Sequence, residues 1–297
     1  MGELAGVLCA VFWAISATFF SEASRRIGAG AVNRIRLLIG LVLFLITNTL
    51  VNGSPLPLDA EPQRWLWFGL SGILGLTLGD GLMYHAYTMI GTRLAMLITA
   101  FSPILSALLA WALLGETLGA ATLFGILLTV AGVGAVVLDR RESGLAGGDR
   151  PTYVRGLLIS LTAVIFYAFG TVLSKKGLEN NFSTVSGVLM RMLFANLASW
   201  LPLAVSKKTT SNLRQALKDN TAMRYVLIGG LIGPFGGVWL SYVAIQSTQV
   251  GIASTLISLA PVFLLPIAGL IYKEKLSWRA IFGTVLAIAG VAVIFLF

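Results

Sequence analysis

SPILSALLAWALLGETLGAATLFGILLTVAGVGAVVL, residues 102–138, and APVFLLPIAGLIYKEKLSWRAIFGTVLAIAGVAVIFL, residues 260–296, carry one pattern twice. An offset of 158 residues lays Pro103 on Pro261, Glu116 on Glu274, Leu118 on Leu276, Gly125 on Gly283 and Gly132 on Gly290. Carried back to Leu82 against Leu240, it adds Tyr84 on Tyr242 and Ala86 on Ala244, with 15 identities in 57 ungapped positions. Apolar composition inflates such matches, but a register holding a proline, a glutamate and two glycines marks an internal repeat. Weaker matches lie upstream. Phe12-Trp13-Ala14 falls on Phe166-Tyr167-Ala168 at offset 154, and Arg36 on Arg191 at offset 155.

Both stretches are apolar runs cut by a short polar turn, and the rest of the 297-residue chain is built alike. It is 57% hydrophobic and 11% charged, whereas soluble domains carry about 25% charged residues. Such a surface would not keep a globule of this size in water. A membrane-spanning helix uses about 20 apolar residues, so ten spans take roughly 200 and leave roughly 100 for loops. The polar clusters divide the chain into spans at Leu4–Phe20, Asn33–Val51, Trp65–Met89, Leu94–Leu114 and Leu118–Leu138. After a linker they continue at Val154–Leu173, Thr184–Val205, Tyr225–Ser247, Ile252–Tyr272 and Trp278–Phe297. The fold class expected is an all-α membrane protein of ten helices, in two five-helix repeats at residues 3–138 and 153–297, joined by a polar linker at 139–152. Five is odd, so the second copy enters the membrane in the opposite sense. Inverted repeats of this kind build many secondary transporters. In the loop Ser206–Arg224, Leu213, Ala216 and Leu217 share a helical face behind a possible Ser211 cap, which suits either a short surface helix or a plain solvated loop.

Charge gives the orientation. The net charge is +9, from 21 Lys+Arg against 12 Asp+Glu. Seventeen of the 21 fall in loops that would share one side, and Arg64, Lys175 and Lys176 on the other. Positive loops stay in the cytoplasm, so the linker Asp139–Thr152 is predicted cytoplasmic and both termini outside, in a plasma (inner) membrane. Topology thus accounts for the basic balance and no nucleic acid is needed. A lone Cys9 and a lone His85 exclude an internal disulfide framework and a Cys/His metal site. No cofactor is expected. Glu3 at the front, without a basic n-region, reads as a span that is retained.

The chain resembles the EamA family of the drug/metabolite transporter superfamily. The residues that carry the likeness are Pro103, Gly115-Glu116-Thr117-Leu118, Gly125 and Ala131-Gly132-Val133, and again Pro261, Lys273-Glu274-Lys275-Leu276, Gly283 and Ala289-Gly290-Val291. The resemblance implies ten helices about a central cavity, lined by spans 1–4 and 6–9 with 5 and 10 at the periphery. It implies export or exchange of a small metabolite, and leaves the substrate open.

Ionisable residues within spans are costly, about 2.5–3.5 kcal/mol each on insertion scales, and point to function. Asp80 lies deep in span 3 and suits a substrate amine or a coupling proton, or else a helix cap or an internal ion pair. Tyr84 shares its face, while His85 is rotated by roughly 140°, so an Asp80–His85 dyad would need a break at Gly81. Arg191 sits about seven residues into span 7, too deep for a loop charge. Arg36 is near enough to its helix end to snorkel to the cytoplasmic face. Lys175 and Lys176 are either solvated or turned inward toward an anion. Trp13, Tyr167, Trp239 and Tyr242 lie near the repeat axis and could line a pocket, against the alternative of lipid-facing packing. The predicted substrate-binding set is therefore Trp13, Asp80, Tyr84, His85, Tyr167, Arg191, Trp239 and Tyr242. Pro103 and Pro261 with Gly79, Gly81, Gly233 and Gly237 are the predicted hinges, static close packing being the other reading. Glu116 and Glu274 suit helix starts.

No ATP-binding loop occurs, so the leading expectation is a gradient-driven transporter working by alternating access, as a monomer or homodimer. A buried acid and a buried arginine would suit a zwitterion such as an amino acid, and Asp80 could couple protons. Two other classes are weighed. Gly69-Leu70-Ser71-Gly72 with His85 has the form of an intramembrane serine protease, and a non-transporting membrane scaffold is the third.

Overall fold

The computed structural model describes residues 1–99, 101–137, 150–205, 213–214, 216–260, 262–264 and 278–296. Among them every regular element is helical. Six helical stretches are long and apolar enough to cross a membrane: Gly2–Ile27, Ala29–Asn52, Pro62–Ile90, Pro151–Gly177, Thr184–Leu201 and Asn220–Ser247. Shorter apolar helices lie at Ser102–Leu114, Ala120–Ala135, Val250–Leu264 and Ile281–Ile294. Leucines and phenylalanines stand exposed along these helices, as lipid contact requires.

The elements are α1 (Gly2–Ile27), α2 (Ala29–Asn52), α3 (Pro62–Ser71), a π-helical segment Gly72–Gly79, α4 (Asp80–Thr99), α5 (Ser102–Leu114) and α6 (Ala120–Val137). They continue as α7 (Arg150–Gly177), α8 (Thr184–Val205), α9 (Asn220–Gly230), a second π segment Leu231–Gly237, α10 (Val238–Ser247), α11 (Val250–Ile257) and α12 (Trp278–Leu296). Several boundaries differ from the sequence reading, three of them with a clear local cause. α7 takes Arg150–Thr152 from the linker, because Pro151 suits a first helical turn. α4 runs through Gly91–Arg93 to Thr99, since none of the three residues stops a helix as a proline does. The chain breaks at Phe101, and Pro103 lies in the first turn of α5 rather than inside a kinked helix.

The π segments sit at matching places. Gly72, Gly75 and Gly79 recur at Gly230, Gly233 and Gly237, 158 residues on. Their missing Cβ atoms permit contact with α7 and α1. A Cβ on Gly170 would lie 3.2 Å from Gly75 Cα, and one on Gly79 3.0 Å from the Tyr167 ring. In the other half, a Cβ on Gly233 would strike Ser16, and one on Gly237 would lie 3.5 Å from Trp13 Nε1. Thus Gly75–Gly170 matches Gly233–Ser16, and Gly79–Tyr167 matches Gly237–Trp13, at offsets of 158 and 154. A π turn displaces backbone carbonyls from their usual partners. Asn33 Nδ2 donates to Leu76 O at 3.2 Å, and Cys9 Sγ to Gly237 O at 3.0 Å.

α6 and α12 pack along each other. Gly125 abuts Gly290 and Ile294, while Gly132 abuts Gly283 and Ala287, so the two helices run antiparallel.

Polar contacts mark the two ends of the bundle. At one end Gly2 abuts Ser247, Gln249 Nε2 donates to Thr117 O at 2.9 Å, and Asn52 Nδ2 to Ser186 Oγ at 3.1 Å. Here Arg64 and Lys175 cap helix C-termini: Arg64 Nη1 donates to Gly177 O at 2.7 Å, and Lys175 Nζ to Ile245 O and Thr248 O at 2.7 Å each. Lys176 pairs with Glu179 at 2.9 Å. Glu116 Oε2 accepts from Val250 N at 2.8 Å, so it caps α11 of the other half rather than its own α6; Glu274 lies outside the described residues. At the opposite end Arg34 Nε donates to Ser199 O at 2.8 Å. Leu213 and Ala216 pack with Ala23, Ala31 and Val226, while Leu217 stays exposed. Ser211 is outside the described residues.

Candidate functional site

Arg36 comes from α2, Asp80 from the junction of π segment and α4, and Tyr167 from α7. Arg36 is 0% exposed. It does not snorkel, because a carboxylate meets it inside. Its Nη2 bonds Asp80 Oδ2, and its Nε and Nη2 donate to Asn33 Oδ1 at 3.0 and 2.7 Å. Tyr167 Oη donates to Asp80 Oδ1 at 2.6 Å. Both carboxylate oxygens are thereby engaged, so Asp80 is part of a pair rather than a free acid. The Arg36 guanidinium lies 5.2 Å from the centroid of Tyr84 and 5.8 Å from that of Phe20. Cation–π contact adds to the pair in such dry surroundings.

A second cluster occupies the matching place. Arg191, from α8, is 7% exposed and lies 5.6 Å from the Tyr242 centroid. Its Nη1 donates to Ser174 Oγ at 3.2 Å, and Ser174 Oγ also meets Tyr242 Oη at 2.9 Å and Ser71 Oγ at 2.6 Å. A Cβ on Gly75 would collide with Arg191 Nη2. Arg36 over Tyr84 is thus repeated as Arg191 over Tyr242. Asp80 maps to Val238, an apolar residue 2% exposed.

The structure brings Asp80, Tyr84 and Tyr167 together about Arg36, and Tyr242 against Arg191. Trp13 is partly buried beside Gly237. His85 is exposed on the far side of α4 and joins neither cluster. Trp239 is 40% exposed and donates to Thr184 Oγ1 at 3.3 Å, away from both. Ser71 Oγ donates to Gly170 O at 2.6 Å, and His85 lies 14 residues on, about 21 Å along a continuous helix, so no protease dyad forms. Gly79, Gly81, Gly233, Gly237 and Pro103 all sit at packed contacts or helix junctions; Pro261 is outside the described residues. No group of three His, Cys, Asp or Glu side chains that could hold a metal occurs among the described residues.

Sequence reasoning missed Asn33 and Ser174. Asn33 precedes Arg36 by three residues, the spacing that puts both on one helix face. Ser174 carried no local signal.

The family model for the EamA-like transporter family matches residues 1–138 and 154–296. The chain belongs to that family. It is 28% identical over 257 residues to an uncharacterized transporter, YetK of Bacillus subtilis (strain 168), covering 86% of this chain and 75% of that one. It is 29% identical over 143 residues to a second uncharacterized transporter of that strain, YvbV. That match spans 46% of this chain and 45% of YvbV, less than half of either. A protein of known crystal structure shares the fold, with a TM-score of 0.75 at 19% identity over 99% of this chain and 97% of that one. The EamA-like chain is therefore an integral membrane protein and a membrane transporter.

Proposed function

We propose that this EamA-like protein is a secondary transporter that moves a small organic metabolite by alternating access, in export or exchange. Its ten helices form two inverted halves, with the substrate path between them at the paired arginine–tyrosine clusters. The observation that carries this reading is the exchange of contacts between halves. The π segment after α3 packs on α7 as the π segment after α9 packs on α1, with matched residues in matched places. The antiparallel α6–α12 pair supports inversion, because equivalent helices of inverted halves run in opposite senses. Gly79, Gly81, Gly233 and Gly237, together with Pro103 and Pro261, supply joints at which the halves rock. The linker end is cytoplasmic, since the basic loops gather there.

The test has two parts. In a Cys9→Ser background, single cysteines at exposed Thr117 and Lys218 should label from opposite sides of the membrane, Lys218 from the cytoplasm. Purified protein in liposomes should accelerate flux of at least one member of a metabolite panel. Labelling of both cysteines from one side would overturn the inverted arrangement, and a silent panel would leave the scaffold reading in possession.

A further inference from the structure

Among the described residues, the buried arginine of one half has a carboxylate partner and that of the other half has none. Arg36 has Asp80; the equivalent position beside Arg191 is Val238. No carboxylate of the described residues pairs with Arg191, and its Nε has no hydrogen-bond partner. A guanidinium stays protonated under all working conditions. A buried cation without a carboxylate partner carries a desolvation cost that no opposite charge repays. The repeat supplies its own reference: the same arginine over the same tyrosine, completed by a carboxylate.

We propose that Arg191 is the anion subsite of the transporter, and that the substrate brings the carboxylate that Val238 does not. The planar fork of the guanidinium matches a carboxylate in two parallel hydrogen bonds. The Tyr242 ring, stacked on Phe68 at 6.0 Å, offers an apolar wall beside it. One guanidinium without a carboxylate among the described residues matches a monoanion. Asp80 is occupied by Arg36 and Tyr167, so a free amine on the substrate has no acid waiting for it there. This inference rests on the transport reading above and names its substrate class.

Thermal unfolding of the purified full chain against a panel of monocarboxylates, phosphate monoesters, amines and neutral solutes tests it, followed by liposome flux. Stabilisation and flux by monocarboxylates are expected. Arg191→Gln should weaken carboxylate binding by about 10- to 100-fold, the loss of charged hydrogen bonds. Arg191→Lys should retain part of it. Without ligand, Arg191→Gln should leave the melting temperature unchanged or raise it, whereas a purely structural arginine would lower it. Val238→Asp should fold and abolish carboxylate binding, because the new side chain occupies Arg191 from within. Flux of amines or neutral solutes alone would overturn the anion subsite while the transport reading stands, as would phosphate monoesters alone or full carboxylate binding in Val238→Asp. Carboxylate binding without flux of any solute would overturn the transport reading instead.

Discussion

Removing the Asp80 carboxylate should strand a cation that has no route to water. Arg36 is 0% exposed and the Asp80 side chain 8%. Breaking a buried pair on one side costs about 3–5 kcal/mol, whereas removing both charges together is close to neutral. At roughly 2 °C per kcal/mol for a chain of this size, Asp80→Asn should lower the melting temperature by about 6–10 °C. Arg36→Gln should cost a similar amount, less whatever Tyr167 restores to the remaining carboxylate through its 2.6 Å bond. The double variant Arg36→Gln/Asp80→Asn should fall within about 4 °C of the starting protein. The four proteins, purified in one detergent and melted by a fluorescence assay, form a double-mutant cycle whose coupling should exceed about 3 kcal/mol. Additive losses, with the double variant melting about 12–20 °C low, would refute the reasoning: the two residues would then act on separate surroundings. The cycle also bears on proton coupling. If Asp80 carried the driving proton, Asp80→Asn would lose gradient-driven flux yet keep exchange in liposomes.

Other consequences are simpler. Tyr167→Phe removes a hydrogen bond to a charged acceptor and should cost about 1.5–3 kcal/mol, measured in the same melt. Gly132→Leu would drive a side chain into the backbone of Gly283 and Ala287; overpacking of this kind costs about 1–3 kcal/mol, while Leu127→Ala, at an exposed position, should melt nearly as the parent does. Cys9 is 0% exposed, so a maleimide should leave the folded protein unlabelled and modify it only after denaturation, as mass spectrometry would show.

Much of the architecture is legible in the sequence because membranes impose length and composition on helices. The register Pro103/Pro261, Gly125/Gly283 and Gly132/Gly290 marks the duplication, and Arg191 and Asp80 are conspicuous as charges in apolar runs. What stays hidden depends on pairing across distance. Nothing within span 2 says that Arg36 turns inward, because its partner Asp80 stands 44 residues on. His85 looks promising as the lone imidazole, yet helix phase turns it outward. The π segments escape a hydropathy reading, since one displaced hydrogen bond leaves the apolar pattern nearly unchanged. Their trace is the spacing Gly72, Gly75, Gly79 against Gly230, Gly233, Gly237, upstream of the stretch in which the repeat is plainest. The segment Gly91–Arg93 shows the reverse error: a glycine and an arginine look like a loop, yet α4 continues through them and ends just before Phe101, two residues ahead of Pro103.

The seam between α6 and α12 has the form of a self-association surface. Gly125 meets Gly290, and Gly132 meets Gly283, so each helix offers the other the same two notches in reversed order. That is the signature of an isologous contact, the kind a protein makes with a rotated copy of itself. One such helix alone carries the surface needed to pack against a rotated copy of itself. Held within a single chain, such a contact does not depend on concentration, as the contact of a separate dimer does. Within a single chain the two equivalent positions can also differ, as Asp80 and Val238 do, which a dimer of identical subunits does not allow.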